Sequence, residues 1–185
     1  MRVRNILVLL AVFVILVGVY AVVSRPKLTT TPPPNIYVWS IKESDLEHIV
    51  ISLPRECKSQ AFIKISEKNK FPWHFDDSQR SPVDSKRWGG GIPLLLSGPV
   101  ANRIIVKDAT NQQLMEYGLA QPSMEIILAL ANKDSMKIEV GNSTPNNKNY
   151  YIRVPQSNTV ALVDYTWYDV LKSLVIDPPF AHLET

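Results

Sequence analysis

The first apolar positions form one unbroken run. From Ile6 to Val23 the chain reads ILVLLAVFVILVGVYAVV without a charge. At about 1.5 Å per helical residue, such a run approaches the roughly 30 Å of a bilayer's hydrocarbon core. The pattern therefore predicts a transmembrane helix within residues 1–24. Val19-Tyr20-Ala21, behind Arg2 and Arg4, offers the rival reading of a cleaved signal peptide. Secretory apolar regions span only about 7 to 15 residues, however, and this one continues past the candidate site. Arg2 and Arg4 on one flank face Arg25 and Lys27 on the other, a weak asymmetry; the expected arrangement keeps the short flank inside and the bulk of the chain outside. Residues 25–35, RPKLTTTPPPN, favour extended polyproline geometry and predict a semi-rigid tether.

Beyond the tether the period changes to two. IYVW (Ile36 to Trp39) predicts a strand. In LEHIVISL, Ile49, Ile51 and Leu53 share a face, and AFIKIS continues the alternation with Ala61, Ile63 and Ile65 assigned inward. After the polar EKNK turn, KFPWHF carries Pro72 and predicts a short edge strand. Asp84 reads as the N-cap of a helix that Gly89 to Gly91 and Pro93 must break, with Leu94, Leu95 and Leu96 packing on a sheet. NRIIVKD predicts a strand and QQLMEY a turn of helix ending at EYGLAQP. There Gly118 supplies an unusual backbone conformation and Pro122 keeps Gln121 extended.

The second half is more regular. Met124, Ile126, Leu128 and Leu130 alternate with other positions, Asn132-Lys133-Asp134 turns the chain, and Met136, Ile138 and Val140 alternate again. The loop NSTPNNKN leads to YYIRV, with Tyr150, Ile152 and Val154 on one side, and PQSN leads to TVALVD. Trp167, Val170, Leu171, Leu174 and Val175 then recur at helical spacing behind a Thr or Asp cap, and Pro178-Pro179 stops the helix. The fold class expected is α+β: a single N-terminal transmembrane helix, then a mostly antiparallel β-sheet domain over 36–185 with one or two short packed helices, divisible into 36–112 and 113–185 at the EYGLAQP turn.

Composition adds placement. Of the 185 residues, 20 are Lys or Arg and 17 Asp or Glu; without Arg2 and Arg4 the balance is 18 to 17. Such a body lacks the basic footprint that attracts nucleic acid. The lone Cys57 forms no intrachain disulfide and reveals no redox compartment.

Several pieces together resemble the bacterial domain of unknown function 4340: Tyr117-Gly118-Leu119 with Pro122, Gly141 with Thr144-Pro145, Tyr150-Tyr151-Ile152-Arg153-Val154, and Leu162-Val163-Asp164 before the closing helix. Pro82-Val83-Asp84 matches the family's Pro-x-Asp helix start, although the glycines at 89 to 91 interrupt a helix that is regular in many members. The resemblance implies a membrane-anchored extracytoplasmic protein, with some members linked to transporter-type assemblies in gliding bacteria. It implies no catalytic residues.

The candidate chemistry is sparse. His74, Asp76 and Asp77 in WHFDD form the best acid/base or metal-like cluster, with His74 and Asp76 able to share a strand face. A metal needs three or four ligands, and His48 and His182 are distant in sequence. The bland reading is an edge strand entering an acidic turn. Cys57 in RECKSQ reads as incidental. The triple glycine lacks the Lys-Ser or Lys-Thr of a phosphate loop, and Asn142-Ser143-Thr144 marks a polar loop more than a glycosylation site. Trp73, Trp88, Tyr150 and Tyr151 would form an aromatic binding face if exposed, while core packing is the default for Trp73 and Tyr150. No catalytic, cofactor-binding or metal residue is assigned, and no cofactor is expected. The expected function is a membrane-anchored, non-catalytic extracytoplasmic interaction or accessory module. It would contact the lipid bilayer through Ile6 to Val23 and an envelope protein partner. The alternatives are a glycan- or peptide-binding domain and a metal-dependent hydrolase centred on His74, Asp76 and Asp77.

Overall fold

A computed structural model describes residues 36–66, 71–89 and 91–181, together with 12–14, 16, 17 and 20. Val12, Phe13, Val14, Leu16, Val17 and Tyr20 are helical and exposed. The rest of the expected anchor, the whole tether, the EKNK turn and His182 lie outside the described residues. Among the described residues no helix is long and apolar enough to cross a membrane. The chain falls into two units, residues 1–34 and 35–185.

The second unit is built on one sheet. Its elements run β1 (Leu46–Leu53), β2 (Lys58–Lys64), β3 (Trp73–Phe75), α1 (Ser85–Trp88), α2 (Ile92–Ser97), β4 (Arg103–Val106), α3 (Asn111–Glu116), β5 (Met124–Leu130), β6 (Ser135–Ser143), β7 (Asn149–Val154), β8 (Thr159–Asp164) and α4 (Tyr165–Ile176). Eight strands lie in the order β3-β2-β1-β5-β6-β7-β8-β4, every neighbouring pair antiparallel. The β5 to β8 meander lies inside the sheet, flanked on both sides. Strands from the earlier part of the chain flank it, β1 to β3 on one margin and β4 on the other.

Period-two alternation gives the sheet two unlike faces. Ile49, Ile51, Phe62, Phe75, Met124, Ile126, Ile138, Val140, Ile152 and Val163 project toward one face, where α1, α2 and α4 add Trp88, Leu96, Trp167 and Leu171 to the main core. The indole N–H of Trp39 donates to the Leu96 carbonyl at 2.9 Å and that of Trp167 to the Leu95 carbonyl at 3.0 Å. These bonds satisfy carbonyls that the short α2 leaves without intrahelical partners. On the opposite face α3 and the turn after it bury Ala109, Leu114, Leu119 and Val160 in a second, smaller cluster.

Four expectations need correction. IYVW is not a strand; Tyr37 makes only an isolated bridge to Val100. In β2 the alternation holds but its phase is reversed: Phe62 is buried, while Ala61 and Ile63 lie on the other face, because Phe62 pairs directly with the buried Ile49. Of the three leucines in α2, Leu96 is fully buried and Leu94 is exposed, since adjacent helical positions point about 100° apart. In α4, Tyr168 takes the core place assigned to Val170, which is exposed. Other expected features are present: β3 is a short edge strand, Asp84 caps α1 by accepting from the Lys86 and Arg87 N–H groups, and Gly89 ends it.

Candidate functional site: a polar cleft beneath the EYGLAQP turn

The turn at EYGLAQP is seated on β6. Gly118 has φ 72°, a left-handed conformation costly for other residues. A Cβ there would come within 2.4 Å of the Asn142 side chain, and one on Gly141 would come within 2.2 Å of the Tyr117 carbonyl oxygen. Two glycines thus allow two backbones to touch, and the Asn142 N–H donates to the Tyr117 carbonyl at 2.8 Å. β6 carries a register shift against β7 between Val140 and Ser143. Such a bulge turns local groups away from the ordinary ladder, a common device beside binding sites.

Around this junction opens a cleft of about 380 Å³, lined by Arg55, Glu56, Ser123, Gly141, Asn142, Ser143, Tyr150, Tyr168 and Lys172. Arg55 and Glu56 come from the 3-10 turn Pro54–Glu56, which Cys57 closes at φ 53°. The Arg55 Nη2 donates to the Gln121 carbonyl at 2.7 Å and to Asn142 Oδ1 at 3.1 Å. Ser123 Oγ donates to the Gly141 carbonyl at 2.7 Å. Lys172 Nζ lies 2.6 Å from Glu56 Oε1. Tyr150 and Tyr168 stack with ring centroids 3.9 Å apart.

The loop beside the cleft is held by its own side chains. Ser143 Oγ donates to Asn147 Oδ1 at 3.0 Å, and the buried Thr144 hydroxyl donates to Asn146 Oδ1 at 2.7 Å and accepts from the Asn149 N–H at 3.2 Å. The electrostatics favour donors. The Glu56 carboxylate, with the Tyr168 and Tyr150 phenols nearby, raises the pKa of Lys172 and keeps it cationic. Burial, then Tyr168 and Asp169, raise that of Tyr150 and keep its hydroxyl protonated.

Chemistry rather than size distinguishes this cleft, because ligand sites combine apolar walls with a few convergent polar groups. A depression of about 480 Å³ beside Tyr37, Leu94 and Val100 is larger and more apolar, and one of about 560 Å³ lies at the Leu130 to Met136 hairpin.

The residues singled out in WHFDD separate. The His74 Nδ1 sits 3.3 Å from the Pro72 carbonyl, not on a carboxylate. Asp76 instead accepts from Arg80 Nη1 and lies 2.8 Å from His48 Nε2, reaching β1 across β2. The His48 hydrogen bond is the main cause that lowers the Asp76 pKa. Asp77 caps its own turn, accepting from the Gln79 and Ser81 N–H groups, each at 3.0 Å. Among the described residues no group of three or more His, Cys, Asp or Glu is arranged to hold a metal. Trp73 and Trp88 are core residues with rings 5.3 Å apart, so the exposed aromatic face reduces to the tyrosines. Tyr150 lines the cleft, while Tyr151 stacks on Tyr117 at 4.6 Å on the opposite side of the sheet. Cys57 is exposed. Sequence reasoning missed Arg55, Glu56 and Lys172; their only signal was a pair of charges in a turn and one on the polar face of a helix.

Residues 73–177 match the family described as a domain of unknown function, DUF4340. The match covers more than half of the chain, which therefore belongs to that family. Ser123, Gly141, Asn142, Ser143, Tyr150, Tyr168 and Lys172 fall inside the matched stretch, and Arg55 and Glu56 precede it. No curated protein and no solved structure matches the chain.

Proposed function

We propose that the protein is a non-catalytic binding module of the cell envelope, held in the membrane by Ile6 to Val23, with residues 25–35 as spacer and the sheet domain outside. Its role is that of an accessory or interaction component of an envelope or transporter-like complex, and its working surface is the Arg55–Lys172 cleft. One observation carries the reading. The family-matched turn, the β6 bulge, the start of β7 and α4 converge on a single donor-rich cleft whose adjoining loop is already fixed by its own hydrogen bonds. A preorganised loop binds with less entropic cost than a mobile one. The apolar, exposed helical side chains of Val12, Phe13, Val14, Leu16 and Val17 support the anchor, since a bilayer would cover them.

A test compares affinity isolation of the full chain from native membranes with isolation of an Arg55→Gln/Lys172→Gln variant. The proposal expects a protein recovered reproducibly with the wild type and lost with the variant. Identical recovery with both, or a chain that is consistently solitary, overturns it. Tyr150 and Tyr168 in the cleft also favour a second reading, capture of a free peptide or glycan, which a direct titration of the full chain would reveal.

A further inference from the structure

The chemistry of the cleft names the kind of group it takes, an inference that rests on the cleft being a binding site. Its lining carries two cations, Arg55 and Lys172, against one carboxylate, Glu56, with the phenols of Tyr150 and Tyr168 close to Lys172. Both hydrogen bonds of Arg55 engage Nη2, so among the described residues Nη1 and Nε keep their donors. These N–H groups lie on different edges of the guanidinium, and each can give a single charge-assisted hydrogen bond to an anion oxygen. The tyrosine rings stack on each other, so one face of each is already used and less remains for a sugar ring.

Glu56 itself shows what the Lys172 corner accepts: a carboxylate oxygen, 2.6 Å from Nζ. Both partners of this pair are more than a third exposed, and an ion pair so placed adds little to stability. Exchanging its carboxylate for another is therefore inexpensive. We propose that the cleft receives an oxyanion of the ligand, a carboxylate or a phosphate, on Lys172 with a remaining single N–H of Arg55, and that Glu56 is the internal occupant that it displaces. The exchange replaces one ion pair by another and needs no proton transfer.

The proposal fixes a pattern of signs. Binding of N-acetyl-Ala-Ala with a free C-terminal carboxylate, of its C-terminal amide, and of inorganic phosphate is measured by calorimetry on the full chain in detergent. An oxyanion site binds the acid or phosphate at least tenfold more tightly than the amide. Arg55→Gln and Lys172→Gln each weaken that binding about tenfold, whereas Glu56→Gln strengthens it severalfold. The last variant guards against misfolding, because a gain in affinity requires an intact cleft. Preference for the peptide acid assigns the oxyanion to a carboxylate, and preference for phosphate assigns it to a phosphate group. Equal binding of acid and amide with no response to phosphate, or weakening by Glu56→Gln, overturns the oxyanion assignment. If membrane partner recovery still depends on Arg55 and Lys172 in that case, the binding-module reading survives alone; if that dependence is absent as well, both fall.

Discussion

The Tyr117 carbonyl accepts a 2.8 Å hydrogen bond from the Asn142 N–H, and on either side of this bond sits a glycine that no other residue can replace without displacement. At 118 an alanine meets the Asn142 side chain and must also hold a left-handed backbone, a cost of about 1–2 kcal/mol for the backbone alone. At 141 it meets a main-chain oxygen that cannot rotate away. Overpacking a buried site of this kind costs about 1–3 kcal/mol, and the Arg55 contact to Asn142 moves with it. Gly141→Ala should therefore lower the urea midpoint and weaken cleft binding together. An Asn142→Ala background should recover part of the loss caused by Gly118→Ala, but none of that caused by Gly141→Ala.

A second expectation concerns the outer face of the sheet. Glu125 and Glu139 lie directly opposite each other on β5 and β6, and Lys137 resolves the repulsion by reaching both, at 2.8 and 3.3 Å. Glu139, almost fully buried, also accepts from Arg153 at 2.6 Å, and Arg153 continues to Asn158. Removing one partner strands the other, so Glu139→Ala should cost about 3 kcal/mol in equilibrium unfolding. The double variant Glu139→Leu/Arg153→Leu should lie much nearer the wild type, because apolar packing replaces a desolvated pair. A double loss equal to the sum of the singles would contradict this view of the network.

Acid should loosen the domain through a few surface carboxylates. Asp76 is held below its ordinary value of 3.8 chiefly by His48, Asp77 by Ser81 and Asp164 by Thr166. A depressed folded pKa means stability that is complete above 3.8 and is lost as pH falls below it through the folded value. Urea midpoints followed from about pH 6 to about pH 2.5 should thus decline mainly below about pH 4. Asp76→Asn, Asp77→Asn and Asp164→Asn combined should flatten that decline.

Asp164 also caps α4, accepting from the Thr166 N–H at 2.9 Å and its hydroxyl at 2.6 Å. At neutral pH, Asp164→Ala should cost about 1 kcal/mol in thermal unfolding, as N-cap removals do, while Asp164→Ser should cost less. No loss on Asp164→Ala would show that the cap adds nothing.

What the chain discloses before folding follows from how local each signal is. The β5 to β8 meander was readable because four long alternating runs are separated by turn residues such as Asn132-Lys133-Asp134. β2 was readable in period but not in phase. Ala61, Ile63 and Ile65 are an apolar set, and Phe62 with Lys64 is the competing one; pairing with Ile49 selects the latter, and the Lys64 ammonium escapes to the Ser44 carbonyl at 2.9 Å. The DUF4340 family was legible from the YGL turn and the YYIRV strand. Half of the cleft was visible as the NSTPNNKN loop with Tyr150, but Arg55 reaches Asn142 across 87 positions, and the Glu56 to Lys172 pair spans still more. A shorter separation, 28 positions, likewise hid the contact of His48 with Asp76, which the packing of β3, β2 and β1 side by side brings together.

The central claim, that a partner docks at this cleft, is tested most directly by photo-crosslinking in intact membranes. A photoreactive phenylalanine analogue is placed at Ser143, on the cleft, or at Gln156, in the exposed turn after β7. The account predicts a discrete, reproducible adduct from position 143 that Arg55→Gln abolishes and that position 156 does not give. An identical adduct pattern from both positions, or adducts from 156 alone, would contradict it.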